Sequence, residues 1–257
     1  MRYGDIYFNG QHLKDIGGIV TEPPKYPLSS RELSFISAPN KSGDIIVDKK
    51  RFKNIPVTYK VAHIPSWDTH TGRQFVFMLS DWLQSVYDYA ILRDTDSPGY
   101  FRRGVCTGIT GVTEPLSDMV EAVISFNCDP FLYNDTGTRA LVYEHTSAGA
   151  DTYSIVINND EKWSSEPVIK LTGRGAFTLT VNETVIEVTA LGDADTDGVI
   201  IIDKPRENVY DASGVPCNDK IEGLGLPQLL PGENNITVAA ASAGAYTLEI
   251  TPNWGRL

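Results

Sequence analysis

The chain has 257 residues and a mass of 28.2 kDa, with 41% hydrophobic and 21% charged residues, enough apolar material for real cores and too much for a disordered or fibrous chain. Asp and Glu number 33 against 22 Lys and Arg, and the resulting net charge of -11 lacks the basic footprint that binding to a phosphate backbone requires. No apolar run approaches the roughly 18–20 residues of a membrane span, and the opening MRYGDIYFNG has no signal-peptide layout, so a soluble chain without membrane insertion is expected. At this length two domains are expected. Cys106, Cys128 and Cys217 stand far apart with no CxxC spacing and read as small buried apolar residues, not as a disulfide framework or a zinc site. Asn-x-Ser/Thr triplets at Asn40, Asn134, Asn182 and Asn235 read as chance matches in turns.

In chain order, the first strand signal is Ile55, Val57, Tyr59 and Val61 alternating with Pro56, Thr58, Lys60 and Ala62, and Pro56 puts this strand at an edge or at its own start. Residues 72–85 follow as a helix, because Phe75, Leu79, Trp82 and Leu83 fall on one face, with Thr71 as its N-cap. Residues 88–93 read as another strand. Val120, Ala122, Ile124 and Phe126 alternate with Glu121, Val123, Ser125 and Asn127 as a further one. An amphipathic helix among strands covers a sheet, so the first half is α+β.

Past the cluster Asp129, Pro130, Phe131, Leu132 and Tyr133 the helical period disappears, which marks a domain boundary between residues 1–135 and 136–257. Residues 135–151 read as a linker. Short strands follow at 154–157, 168–171, 177–181, 184–188, 199–202, 236–238 and 246–250, with Asn182-Glu183 as a two-residue hairpin turn and Pro227, Pro231 and Gly232 breaking the chain before the last two. This spacing predicts a β-sandwich. No internal repeat is visible.

The sharpest local motif is Asp193-Ala194-Asp195-Thr196-Asp197-Gly198, which has the carboxylates and glycine of an EF-hand calcium loop. Position twelve is Lys204 where the bidentate glutamate belongs, and the segment after Gly198 reads as a strand, so a solvated acidic turn is expected. His12, His63, His70 and His145 lack metal or nucleophile spacing, and His63 and His70 read as solvent-facing or turn-capping residues around Pro65 and Trp67. Gly173-Arg174-Gly175 is too short for a phosphate loop and reads as a turn between strands. Trp67, Trp163, Trp254 and Tyr210 are too dispersed for a sugar-stacking platform and read as packing residues. No catalytic, cofactor-binding or metal-ligating residue is assigned, and no cofactor is expected.

The order of segments resembles the distal tail protein family of long-tailed bacteriophages and their prophages. The resemblance runs through Leu33-Ser34-Phe35, Ala38-Pro39-Asn40-Lys41-Ser42-Gly43-Asp44, Arg51-Phe52, the strand 55–61, the helix 72–85, Tyr89 to Asp94, and Tyr100-Phe101-Arg102. Phe126-Asn127-Cys128-Asp129-Pro130-Phe131-Leu132-Tyr133 closes the first half. Asn158-Asn159-Asp160, Trp163, Pro167 to Leu171, Gly173, Gly175, Ile202-Asp203 and Pro231 to Ile236 follow in the second. No room is left for an inserted carbohydrate-binding module between Asp135 and Leu257.

The resemblance implies a mainly β, non-enzymatic structural protein of the virion, assembled in the host cytoplasm and placed at the distal end of the tail. In it an α+β N-terminal domain forms a homohexameric ring and a galectin-like β-sandwich follows. The ring would join the major tail tube protein to the tail-tip or baseplate protein, with the tape measure protein and receptor-binding proteins as further partners. DNA would pass through the central channel without specific binding, and the acidic balance is consistent with that passage. Subunit contacts are expected on the first half, at Pro39, Asn40, Gly43 and Asp44 of a turn and at Lys49, Lys50, Arg51 and Phe52 beside it. Two other classes compete: a carbohydrate-binding β-sandwich module, which needs exposed rings, and a glycoside hydrolase, which rests on carboxylate abundance alone.

Overall fold

The computed structural model describes residues 4–65, 69–113, 119–193 and 195–257. The chain divides into two compact units, one running to Leu132 and the other spanning Tyr133–Arg256. Both are built from antiparallel strands, and a single α-helix lies among the described residues.

The first unit contains β1 (Ile6–Phe8), β2 (Gln11–His12), β3 (Gly18–Val20), β4 (Arg31–Ile36), β5 (Ile45–Phe52), β6 (Ile55–His63), α1 (Gly72–Gln84), β7 (Ala90–Asp94), β8 (Tyr100–Thr113) and β9 (Val120–Cys128). Seven of the strands form one sheet in the order β2-β1-β7-β8-β9-β6-β3, and β4 and β5 form a separate hairpin. Alternation along β6 and β9 sends Val57, Tyr59 and Val61 and Ala122, Ile124 and Phe126 to the same buried side, in register from Ile55↔Cys128 to His63↔Val120. Pro56 is the second residue of β6, where its missing N–H is tolerated.

The helix covers that buried side. Thr71 caps it, its hydroxyl accepting from the Gln74 N–H at 3.3 Å while the Gln74 side chain accepts from the Thr71 N–H at 2.8 Å, a reciprocal box that satisfies two otherwise orphaned donors. Phe75, Leu79, Trp82 and Leu83 are buried against the sheet. The Trp82 indole N–H donates to the Phe8 carbonyl at 2.9 Å, so the ring buries its area without an unmet donor. His63 does not face solvent. It ends an inward-facing run of β6, is fully buried, and lies stacked on Phe75 with ring centroids 5.1 Å apart. Trp67, expected beside it, lies outside the described residues.

Strand β10 (Leu132–Asn134) begins at the last residue of the first unit, and the second unit continues with β11 (Leu141–Ser147), β12 (Asp151–Asn159), β13 (Val168–Gly173), β14 (Gly175–Val181), β15 (Thr184–Leu191), β16 (Gly198–Asp203), β17 (Asn208–Asp211), β18 (Ile221–Gly223), β19 (Gly232–Ala240), β20 (Gly244–Thr251) and β21 (Gly255–Arg256). Two five-stranded sheets, ordered β11-β20-β13-β16-β17 and β12-β19-β14-β15-β18, pack face to face as a β-sandwich. Ile169, Leu171, Ile200, Ile202, Leu248 and Ile250 of one sheet share a core with Ile155, Leu179, Ile186, Val188, Ile236 and Val238 of the other.

Asn182 takes φ of 54° at the two-residue turn between β14 and β15, as an Asn-first hairpin requires. The expected linker 135–151 is instead ordered: a 3-10 turn (Asp135–Thr138) leads into β11, which pairs along its whole length with β20. Its alternation is hidden in the sequence because the outward positions include Val142 and the inward ones include His145. Strand β12 keeps an unbroken nine-residue register with β19 and ends its sheet.

One buried amide locks the loops at one end of the sandwich. Asn234, with no exposed surface, accepts from the Leu230 N–H at 2.7 Å and the Asn182 amide at 2.8 Å, and donates to the Leu230 and Gly232 carbonyls, both at 2.9 Å. Replacing it with alanine leaves these groups unmet inside the protein. Asn234→Ala is expected to destabilise the second unit by about 3 kcal/mol, read as a lower urea midpoint.

Candidate assembly surface

Strands β4 and β5 pair as Leu33↔Asp48, Ser34↔Val47, Phe35↔Ile46 and Ile36↔Ile45, and no third strand joins them among the described residues. Directly opposed residues share a face, so Leu33, Phe35 and Ile46 occupy one side and Ile36, Ile45 and Val47 the other. All six are exposed, with Phe35 at 61% and Ile46 at 62%. Leu28, just before the hairpin, is exposed as well. An isolated two-stranded hairpin is marginal in water, and one that shows apolar side chains on both faces toward its tip lacks the cover that a sheet normally has.

The eight residues expected at a subunit contact all lie on this hairpin, in two groups. Pro39, Asn40, Gly43 and Asp44 belong to the connection at the tip, where Asn40 (φ 60°) and Gly43 (φ 82°) take the left-handed conformation that turns the chain. Lys49, Lys50, Arg51 and Phe52 sit at the base of β5, roughly 20 Å away at the rise of a strand, so they do not form one patch with the tip.

The base is held by charge within the hairpin. Glu32 on β4 accepts from Lys49 Nζ at 2.7 Å and from Arg51 Nε at 2.6 Å, and these two bonds hold its carboxyl below the usual glutamate range. The Arg31 guanidinium lies 3.6 Å from Asp48. Lys50 has φ of 56° at an irregularity in the ladder, its N–H bonded to Asp48 Oδ1 at 2.8 Å, and its ammonium has no acidic partner among the described residues. Phe52 anchors the base edge-on to Phe131, with centroids 6.1 Å apart.

The apolar tip residues carry a signal in the sequence that does not by itself mark a surface. ELSFI and IIV flank a Pro-Asn-Lys-Ser-Gly turn, which reads as two short strands and a connection. What local sequence does not disclose is that nothing among the described residues covers them.

The other candidate residues do not converge. Asp193 Oδ1 accepts from the Asp195 and Thr196 N–H groups at 2.9 and 2.8 Å, and Asp197 pairs with Arg174 Nε at 2.5 Å, so the acidic motif closes its own turn into β16. Ala194 lies outside the described residues. His12 pairs with Asp5 and His145 with Asp151, each at 2.8 Å, far apart in sequence and in different units. Trp254 packs against the sandwich core, while Trp163 and Tyr210 are half-buried. Cys128 is buried, and burial pushes its thiol up to about 12; Cys217 is buried too, while Cys106 is only half-buried, against expectation. No helix among the described residues is long and apolar enough to cross a membrane.

Glu32→Ala removes the acceptor shared by two cations and leaves them side by side. Because exposed pairs contribute little, the urea midpoint should move by less than about 0.5 kcal/mol equivalent, while hydrogen exchange in residues 31–36 and 45–52 accelerates.

No family model matches the chain, and no curated protein matches it in sequence. Among solved structures, its fold is similar to that of the SPP1 Dit (gp 19.1) protein, described as a paradigm of the hub adsorption apparatus in phages that infect Gram-positive bacteria. The two are 14% identical and superpose with a TM-score of 0.65 over 97% of this chain and 98% of that one. Over nearly its whole length, therefore, this chain has the fold of a phage Dit protein, the mainly β, α+β-then-sandwich architecture that its order of segments implies.

Proposed function

We propose that this chain is a distal tail protein: a structural, non-catalytic subunit of a bacteriophage tail, located in the virion after assembly in the host cytoplasm. Six copies close into a ring through their first units and leave a central channel for DNA. The ring joins the tail tube protein above to the tail-tip or baseplate protein below. The second units, read as galectin-like sandwiches, serve as docking points for adsorption proteins.

The observation that carries this reading is the β4–β5 hairpin. It leaves one unit as a two-stranded arm with apolar side chains on both faces, an arrangement that calls for cover from a neighbour. A ring built head to tail needs such a heterologous contact, in which one surface of each copy meets a different surface of the next. The likeness of fold to a hub protein supports the same reading, and the net charge of -11 is consistent with DNA sliding through without adhering.

The test is solution mass together with negative-stain electron microscopy of the purified protein. Six-fold rings with a central hole are the expected outcome. Phe35→Ser with Ile46→Ser alters only exposed side chains, so it should shift the mass toward monomer and move the urea midpoint by no more than about 1 kcal/mol equivalent. Charge reversal at Lys50 and Arg51 should weaken assembly too. A protein that stays monomeric at every concentration and with the neighbouring tail proteins co-expressed would overturn the ring, and rings untouched by either double substitution would remove the hairpin from its interface.

A further inference from the structure

The second unit carries an incomplete sheet edge, outside the first unit through which the ring is proposed to close. Strand β18 pairs with β15 only over Ile186–Val188, then leaves it at Gly223, so the sheet is one strand short alongside Thr184 and Val185 among the described residues. An open groove of about 490 Å³ lies there, and Val185, Gly223, Leu224 and Leu226 are among the residues that line it. Val185 is 45% exposed and Leu224 is fully exposed. Gly223 permits the close approach at the point of divergence, since a Cβ there would come within 2.7 Å of the Val185 carbonyl.

Three carboxylates, Glu183, Glu187 and Glu222, line the same groove, and none has an ion-pair or hydrogen-bond partner among the described residues. Glu187 and Glu222 are directly opposed cross-strand partners. Like charges in that position work against strand pairing, and elsewhere in this chain carboxylates on adjacent strands meet cations, as Glu249 meets Lys170 at 2.6 Å. A second depression, about 280 Å³, shares Glu187 and Glu222 and continues toward Thr178 and Ala239.

We infer that this groove is a docking site for an extended, basic segment of a partner protein, laid beside β15 where the sheet lacks a strand. Its apolar side chains would cover Val185, Leu224 and Leu226, and a lysine or arginine would sit between Glu187 and Glu222. A missing strand selects an extended backbone, the exposed leucine and valine select apolar contacts, and the unpaired carboxylates select the sign of charge. The inference is independent of the ring, because none of these residues lies in the first unit.

The probe is a fluorescein-labelled, N-acetylated peptide of seven alternating lysines and valines, titrated with the full chain and followed by anisotropy at two salt concentrations. Saturable, salt-weakened binding is expected, with none for the matching glutamate and valine peptide. E187Q/E222Q should weaken it about tenfold or more, whereas D81N/E144Q, which removes equal charge elsewhere, should leave it unchanged. The same E187Q/E222Q variant should raise the Tm of the free protein by about 1–3 °C, because it relieves a repulsion that only the partner relieves in the wild type.

Equal binding by both double variants would reduce the effect to generic attraction and overturn the site. A lowered Tm for E187Q/E222Q would show that the pair supports the fold and would also overturn it, as would stabilisation by calcium chloride alone with no binding of the peptide. Ring formation, measured as mass in the same samples, reports separately on the assembly reading.

Discussion

A sheet has two faces and two edges, and each apolar face must be covered by something. In the first unit the cover is α1, whose four buried side chains close one side of the β6–β9 ladder and whose Trp82 reaches the Phe8 carbonyl. In the second unit each sheet covers the other. Those two solutions use up the chain's helical and sandwich-forming sequence, and β4–β5 is left with neither. The hairpin is thus defined by what the rest of the fold does not supply. Its base is fastened by Glu32 and by Phe52 on Phe131, and the apolar side chains of its tip stay exposed.

Charge is distributed by the same division of labour. Several acids are committed locally: Asp94 accepts from the Tyr59 hydroxyl at 2.8 Å and from two turn amides, Asp193 closes its own turn, and Glu32 gathers two cations. Burial, reinforced by Asp94, holds the Tyr59 phenol well above its ordinary range, so it serves as a hydrogen-bond donor in the core. The surplus of acids gives the chain its net charge of -11.

Much of the architecture is legible in sequence because it rests on periodicity. Phe75, Leu79, Trp82 and Leu83 announce α1, and Thr71 announces its cap, although the reciprocal role of Gln74 is visible only once the turn is built. The strands of the sandwich are located by their β-branched runs, and structure lengthens them, most of all β19, whose polar start at Gly232 to Asn235 hides its pairing with β12. β11 is hidden in the sequence because its inward residues include a histidine, and the burial of His63 is hidden because a turn nearby in sequence says nothing about which side of β6 it faces. The residues expected at a subunit contact share one hairpin, but their separation into tip and base depends on strand length. The six apolar side chains above the base become a surface only through the absence of a neighbour, which no local pattern encodes.

The long register of β12 has a consequence for how the protein behaves in bulk. Its nine residues, Asp151 to Asn159, contain no lysine, proline or bulge, the devices by which exposed edges are usually blunted, and no strand pairs with its outer side among the described residues. The strand that completes one wall of the sandwich is therefore also a template on which a second wall could grow. Molecules kept apart by repulsion between like-charged surfaces stay dispersed, so ionic strength acts as a colloidal control on this protein: salt that screens the negative charge brings bare edges within reach of one another.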